Sequence, residues 1–571
     1  MRCVLEKASQ LLFLTAITCL LLSPTEAKKP NVMIIMADDV GTGDVPGYWE
    51  DTSVVSMPNL EAVIQEGTTF TDAHSTPLCA ASRYVFLSGN YQYRGELLGG
   101  SWTMNYQHGN QFRKGQQSLA QIFRDNGWHT SIFGKWHVGG LIPTVDDEEL
   151  RTTDVEMLER MLSHPYHNWD RPVGQGPEDI GFEESYITSG GIQAPPYAFL
   201  RNNVFSEDVL SKIKFWMEGS YPAPFGTSMI EKQGDGVNDW DSTAYNMILV
   251  NETEAFIKNH LQTRPEDPFL TYVALGGVHT PHSPPDKYMN ESPIAGEHAN
   301  GHLDVLLEMD YVVGSLIQIL KDNDVDKDTI IIFTSDNGGL TKRVFNKGNK
   351  HYSSGPLRGF KSSVYEGGHR IPLTIRWDNG NIPKGETRSN LVGLNDFYKT
   401  LCDLVGIDVP FGQAMDSISF ADYLKDASAT TGLRQEIGTW SKVLRKESIR
   451  VNNMKLIQSW QDGSLELYDL EKDISESNNL ISTANQTDVD SLFNRLKAIS
   501  PCYDHPKKKF RVKFSSGQIF KKGCGWVNKK KVVRCAKFPS AMRFCRFTCL
   551  TNSKDKQYCK VVRRIELDRP Q

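Results

Sequence analysis

The chain has 571 residues, 39% of them hydrophobic and 23% charged, which excludes both a single small domain and a disordered chain and points to a large core with one or two appended units. A formal net charge of −6 hides an uneven distribution. Residues 501–571 carry 20 Lys+Arg against 4 Asp+Glu, a net of +16, while the first 500 carry 43 against 65, a net of −22, so a basic tail sits on an acidic body.

At the N-terminus, Arg2 and Lys7 precede an apolar run over 11–22 and the small-residue stretch Thr25-Glu26-Ala27, the pattern of a secretory signal peptide over residues 1–27. The run is short for a bilayer anchor, and no later apolar run is long enough to span a membrane. The mature protein is therefore expected outside the cell or in a lysosome-like lumen. There the sequons headed by Asn251, Asn290 and Asn485 gain meaning as N-glycan acceptors. Of ten cysteines, Cys3 and Cys19 leave with the signal. Six (Cys502, Cys524, Cys535, Cys545, Cys549, Cys559) crowd the tail, where an oxidising compartment reads them as disulfides before zinc. Cys79 and Cys402 stand apart.

From residue 28 to about 430, aliphatic runs alternate with helical patterns. The runs end in polar residues: 31–37 before Asp38-Asp39, 129–134 before Lys135-Trp136-His137, 269–278 before His279, and 329–335 before Asp336-Asn337. Near-continuous β-branched and aliphatic runs are what doubly covered parallel strands look like, and helical patterns at 118–126 and 245–261 complete an α/β layered domain. In such sheets ligands gather beyond the carboxyl ends of the strands, where all four polar clusters fall. Residues 141–240, rich in Pro, Gly, Trp and Tyr with little periodicity, are expected to be long loops over the site. Trp169, His164 and Trp240 there are either sugar-subsite or local packing residues. Short alternating runs over 431–500 followed by a helical pattern predict a small antiparallel sheet with a covering helix, and 501–571 forms a third unit.

Asp38, Asp39, Asp336 and Asn337 would place three carboxylates and an amide oxygen at neighbouring strand ends. That all-oxygen set suits calcium or magnesium; ordinary turn and capping chemistry is the alternative. Cys79 follows the turn Ser75-Thr76-Pro77 and opens a helix-compatible run. A helix starting there carries Ser82 and Arg83 on the face of residue 79, and its N-terminus and the guanidinium both favour an anion. A buried free thiol, or a disulfide to Cys402, is the other reading of the same cysteine.

Cys79-Ala80-Ala81-Ser82-Arg83 resembles the signature of the type I sulfatases, members of the alkaline-phosphatase-like superfamily in which a cysteine is oxidised to formylglycine. "MADDVGTGD", "GKWHVGG", "HTPHSPP", "SDNGG", "GPLRGFKSSVYEGGHRIP" and "ELYDLEKDISESNNL" stand in that family's order and spacing over roughly residues 30–500. The resemblance implies one calcium ion per chain held by Asp38, Asp39, Asp336 and Asn337, with the oxidised residue 79 completing the shell. It implies that Arg83, Lys135 and Lys361 neutralise sulfate oxygens, that His282 is the general acid for the leaving alcohol and that His137 stands near the aldehyde hydrate. Lys135 and His137 share a face if their strand stays extended. One hydroxyl of the hydrate would attack sulfur, and deprotonation of the other would expel sulfate. His279 is either a substrate contact or a structural histidine, and His369 either helps bind sulfate or packs. In the family, proline is commonest where Ala81 stands, and an aromatic is frequent in place of Thr42.

The resemblance further implies a sulfate ester substrate, most plausibly a sulfated carbohydrate, and a formylglycine-generating enzyme as maturation partner. Other readings are a phosphonate monoester hydrolase or phosphodiesterase on the same fold, or an inactive glycan-binding relative. The tail resembles small Cys/Trp-containing modules appended to secreted proteins, and its charge would attract a polyanionic glycan. The compartment argues against nucleic acid.

Overall fold

The four aliphatic runs become four adjacent strands. The computed structural model describes residues 28–499 except 50–54, 98–103, 105–108, 144–168, 208, 221–226, 341–350 and 432, together with 510–513 and 519–522 in the tail. Strands are numbered here as β1 Asn31–Ala37, β2 Thr68–Phe70, β3 His129–Lys135, β4 Glu184–Thr188, β5 Phe199–Arg201, β6 Val204–Phe205, β7 Phe269–Ala274, β8 Thr329–Ser335, β9 Leu373–Arg376 and β10 Glu386–Arg388. Among the described residues they form one sheet in the order β10-β2-β9-β8-β1-β7-β3-β4-β5-β6. The central five, β8 to β4, are mutually parallel.

Every residue of β1, β3, β7 and β8 is buried, so both faces of the sheet are covered and continuous hydrophobicity is what the position demands. The cover comes from two groups of helices. Helices α1 (Pro58–Glu66), α4 (Tyr245–Thr263) and α5 (Gly301–Asp322) pack on one another, as do α2 (Cys79–Ser88), α3 (Leu119–Asp125) and α6 (Phe397–Val405). Ser118 caps α3 by accepting from the Gln121 N–H.

The expectation of loops over 141–240 is corrected: β4, β5 and β6 extend the sheet, and Leu210–Ser220 pairs with Thr227–Gly236 as a long antiparallel hairpin. Edge strands are half-buried and need no continuous apolar run, which is why the periodicity hid them. Aromatic packing holds them instead. Tyr186 stacks on Phe199 at 4.6 Å, and Trp240, 7% exposed, lies among Tyr197, Phe199 and Tyr245. Trp169 packs edge-on against Phe205. These rings are spent on local packing; His164 lies outside the described residues.

The predicted C-terminal unit is present as a four-stranded antiparallel meander, β11 Glu436–Ser441, β12 Lys446–Val451, β13 Met454–Ser459 and β14 Leu465–Asp469. Helix α7 (Gln486–Ile499) lays Val489, Leu492, Phe493 and Leu496 on Ile449, Leu456 and Leu467. The signal-peptide reading and the tail cysteines fall outside the described residues. Among the described residues no helix is long and apolar enough to cross a membrane.

Candidate active site

Parallel pairing brings the strand ends level. Ala37 pairs with Ser335, Met36 with Ala274, and Ala274 with Gly134. The residues that follow, Asp38-Asp39, Asp336-Asn337, Leu275 onward and Lys135, therefore emerge together at one pole of the sheet. Asp39 leaves β1 with φ 68, a left-handed turn that a short carboxylate residue tolerates.

Three ion pairs fill the pole. Lys135 Nζ lies 2.6 Å from Asp38, Lys361 Nζ 2.7 Å from Asp39, and Arg83 Nη2 2.7 Å from Asp336. Arg83 also gives its Nε to Asp336 and its Nη1 to the Lys135 carbonyl. It is fully buried, and its fork is spent on holding Asp336 and the end of β3. Asn337 donates Nδ2 to Asp39 Oδ1 at 2.8 Å. Two buried oxygens are left over, because Asp38 Oδ1 and Asn337 Oδ1 have no hydrogen-bond partner among the described residues.

An orphaned carboxylate oxygen and an orphaned amide oxygen, buried beside two more carboxylates, form an all-oxygen donor set suited to a hard cation. Electrostatics agree: burial, and Asp38 beside it, push the Asp336 carboxyl up to about 6. Asp39, although burial pushes it up, is held below the usual carboxylate range by Lys361 and His279. The residues present fit a hard divalent ion.

Helix α2 opens at Cys79, with Leu78 extended before it and Gly89 left-handed after it. The sulfur is fully buried, 3.3 Å from His137 Nδ1, and its thiol pKa is pushed up by that burial. Sulfur, Asp38 and Asp336 form one cluster of ligand-type atoms. Cys402, on α6, is a separate buried free thiol pushed up to about 12 by burial, so the disulfide reading of Cys79 falls.

Lys135 and His137 converge by a different route from the extended strand expected. Strand β3 ends at Lys135, and His137 turns in with φ 54 while its N–H is held by the Ser189 carbonyl. Burial, then Lys135 and Arg83, keep the His137 imidazole neutral. Lys361 reaches the pole because its N–H binds the Gly339 carbonyl while the Ser362 N–H binds Pro77 O, just ahead of Cys79. The Ser441 hydroxyl, on β11, donates to Ser362 O at 2.5 Å.

His279 Nε2 stands 3.7 Å from Asp39, and His282 packs edge-on against His302 at 5.2 Å between centroids. Burial first, and neighbouring charges second, push both down to about 3. Trp136 is buried against Phe182.

Two residues of the predicted site lie elsewhere. Ser82 does share the helix face, but its hydroxyl turns back to the Thr76 hydroxyl at 2.7 Å and accepts the Thr76 N–H, fastening the turn before Cys79. His369 is buried 2.9 Å from His74, within 3.3 Å of Lys455, in a network with Glu366 that belongs to the seam with the C-terminal sheet. Backbone direction decides this, and no local pattern announces it. Thr42, at the position of a frequent aromatic, accepts the Trp49 indole N–H at 2.9 Å. Asn251, Asn290 and Asn485 are all exposed. Missed from the sequence was a pocket of about 600 Å³ in the segment that leads to Lys361, to which Tyr352, Arg358 and Phe360 contribute.

The Sulfatase family profile matches residues 30–407, and that of the N-sulphoglucosamine sulphohydrolase C-terminal region matches residues 360–500. An N-acetylgalactosamine-6-O-sulfatase of Bacteroides thetaiotaomicron is 26% identical over 499 residues, covering 80% of this chain and 90% of its own. Human arylsulfatase D is 26% identical over 452 residues, with 72% of each chain covered. A solved structure from work on glycosaminoglycan metabolism by Bacteroides thetaiotaomicron superposes with a TM-score of 0.67 at 24% identity, over 83% of this chain and 99% of that one. Ps i-CgsB in complex with k-i-k-neocarrahexaose superposes with a TM-score of 0.59 at 22% identity, over 82% and 92%.

Proposed function

The chain belongs to the sulfatase family and is a sulfuric ester hydrolase, and from that premise we propose a secreted, calcium-dependent sulfatase of carbohydrate that works through formylglycine made from Cys79. One observation carries the reading: at the same pole as the sulfur of Cys79, two orphaned oxygens, Asp38 Oδ1 and Asn337 Oδ1, lie among three carboxylate–cation pairs.

Asp38, Asp39, Asp336 and Asn337 would hold the ion. When bound, it neutralises the carboxylates and polarises the sulfuryl oxygens. As a thiol, residue 79 is a poor nucleophile here, because burial keeps it protonated despite the lysines. The aldehyde supplies a hydrate with two hydroxyls on one carbon, and formation of the aldehyde requires the maturation enzyme.

The chain's own residues do the rest. Lys135 and Lys361 hold the anionic end of the ester. Arg83 positions Asp336 and the Lys135 backbone. His137, neutral and 3.3 Å from the sulfur of residue 79, takes a proton from the group at that position. His282 donates a proton to the departing alcohol oxygen, and His279 orders Asp39. Tyr352 and Phe360, 41% and 45% exposed, line a pocket in the segment that leads to Lys361 and offer rings on which a sugar could pack. The relatives named for N-acetylgalactosamine-6-sulfate point to glycosaminoglycan-like esters. The basic tail, net +16, would hold the enzyme to a polyanionic glycan.

Mass spectrometry of the peptide containing residue 79 should find an aldehyde in place of the thiol. The matured protein should release inorganic sulfate from aryl sulfates and sulfated oligosaccharides faster than it cleaves aryl phosphate or phosphonate esters. Faster phosphonate or phosphodiester cleavage would move the chemistry to the other reading of the fold, and no turnover of any ester by fully matured protein would leave an inactive glycan binder. Loss of salt-dependent glycan binding on removing residues 501–571 tests the tail.

A further inference from the structure

Outside the site, two buried groups of metal-ligating side chains occur among the described residues: His74, Glu366 and His369, and Asp44, His302 and His351. The first is saturated with protein cations. Lys455 lies 2.8 Å from Glu366, and Arg450 lies 2.7 Å from Asp72, which in turn holds His74. An ion there would have to displace those charges.

The second group differs. Asp44 is fully buried, and among the described residues its only ion-pair partners are His302 Nε2 at 3.0 Å and His351 Nε2 at 2.7 Å, both on the same oxygen, Oδ1. The other oxygen, Oδ2, is fixed by the Gly41 N–H at 2.8 Å and by the Ser353 hydroxyl. The carboxylate is thus aimed by its neighbours, with one oxygen held and one offered to two imidazole nitrogens. All three ligand atoms lie within 4.8 Å of one another, and all three residues are at most 1% exposed.

We propose that Asp44, His302 and His351 bind a zinc-type transition ion as a second metal centre, chemically distinct from the all-oxygen pole. Two imidazoles and one carboxylate suit such an ion and suit calcium poorly. Bonds of about 2.0–2.1 Å in a tetrahedral shell put ligand atoms roughly 3.3 Å apart, so the two imidazole–carboxylate contacts, now 3.0 and 2.7 Å, would open by roughly 0.3 and 0.6 Å.

Its role follows from what it joins. Asp44 lies on the loop after β1 that carries Asp38 and Asp39. His302 begins α5 and is the surface on which His282 packs. His351 opens the segment that reaches Lys361. One ion would pin three segments that bear the catalytic groups.

The test uses tag-free, full-length, calcium-loaded protein titrated with cobalt(II) or zinc. One cobalt per chain beyond calcium should bind, with ligand-field bands of a histidine-containing site and an imidazole shell in X-ray absorption. His351→Gln should weaken cobalt binding by at least about 100-fold and abolish the bands, and Asp44→Asn should do the same. Asp38→Asn should leave the bands intact while losing calcium, which separates this centre from the sulfatase reading. Wild-type protein that binds no cobalt or zinc would overturn the proposal and leave Asp44 hydrogen-bonded to two imidazoles only. Bands that survive in folded His351→Gln would also overturn it. Should the variants not fold, the absence of two imidazole ligands in the wild-type absorption spectrum would overturn it.

Discussion

Two buried polar clusters in this protein use the same residue types, and comparing them separates function from structure. At the pole of the sheet, Asp38, Asp39 and Asp336 meet Lys135, Lys361 and Arg83. At the seam with the C-terminal sheet, Asp72, Glu366 and Glu476 meet Arg450 and Lys455 within 3 Å, with His74 and His369 between them. Burial and depressed histidines are common to both, so neither marks a catalytic site. The difference is satisfaction. The pole keeps Asp38 Oδ1 and Asn337 Oδ1 without partners among the described residues and places a sulfur at a helix N-terminus beside them, whereas the one seam carboxylate oxygen without a hydrogen bond, Glu476 Oε1, lies 2.9 Å from Lys455 Nζ. Incomplete pairing in a buried cluster is the sign of a ligand to come.

The comparison breaks if the two clusters respond alike. Cys79→Ala should reduce sulfate release by about 10⁴-fold or more with thermal unfolding little changed, read by turnover and calorimetry together. Arg450→Met leaves Asp72 buried without its bidentate partner and should cost about 3–5 kcal/mol of stability in denaturant unfolding, with kcat per folded molecule preserved. Asp38→Asn, or chelation, should lower activity by about 10²–10³-fold, and calcium should raise the melting temperature of wild type but not of the variant.

The histidines give a pH test. His74 and His369 are pushed below their ordinary value of 6.5, chiefly by burial. The fold keeps them neutral while the unfolded chain protonates them, so stability present above 6.5 is lost as pH falls below it. Each contributes up to about 1.4 kcal/mol per pH unit. His369→Gln should flatten the acid limb of the unfolding profile, whereas His137→Gln should act on the pH–rate profile. The smallest effect belongs to Ser441→Ala, which removes the seam's hydrogen bond to Ser362 O next to Lys361. About 1 kcal/mol is expected, seen as a several-fold rise in KM with kcat nearly kept.

Much of the pole was legible beforehand because parallel strands announce themselves. The runs 31–37, 129–135, 269–274 and 329–335 are buried on both faces, so hydrophobicity is continuous and the polar residue that ends each run must lie at the strand end. Cys79 was legible because a helix that begins at a residue exposes that residue's side chain at the N-terminus. Ser82 and His369 were not. The hydroxyl of Ser82 is claimed by Thr76 six residues back, and His369 is drawn to His74 across nearly three hundred residues of sequence. Strands β4 to β6, on the flank of the sheet, were missed because half-buried strands leave no uninterrupted apolar signature.

By itself the sequence determined which strands are central, where their polar ends fall, where α2 begins and the charge asymmetry of the tail, because burial and backbone direction act over neighbouring residues. Only the tertiary structure decided which acid meets which base, which oxygens stay unpaired, and that Asp44, His302 and His351 share one buried point. Those outcomes depend on the register and crossing of segments far apart in the chain, and Coulomb and hydrogen-bond energies fall off within a few ångströms of a contact that local pattern does not encode.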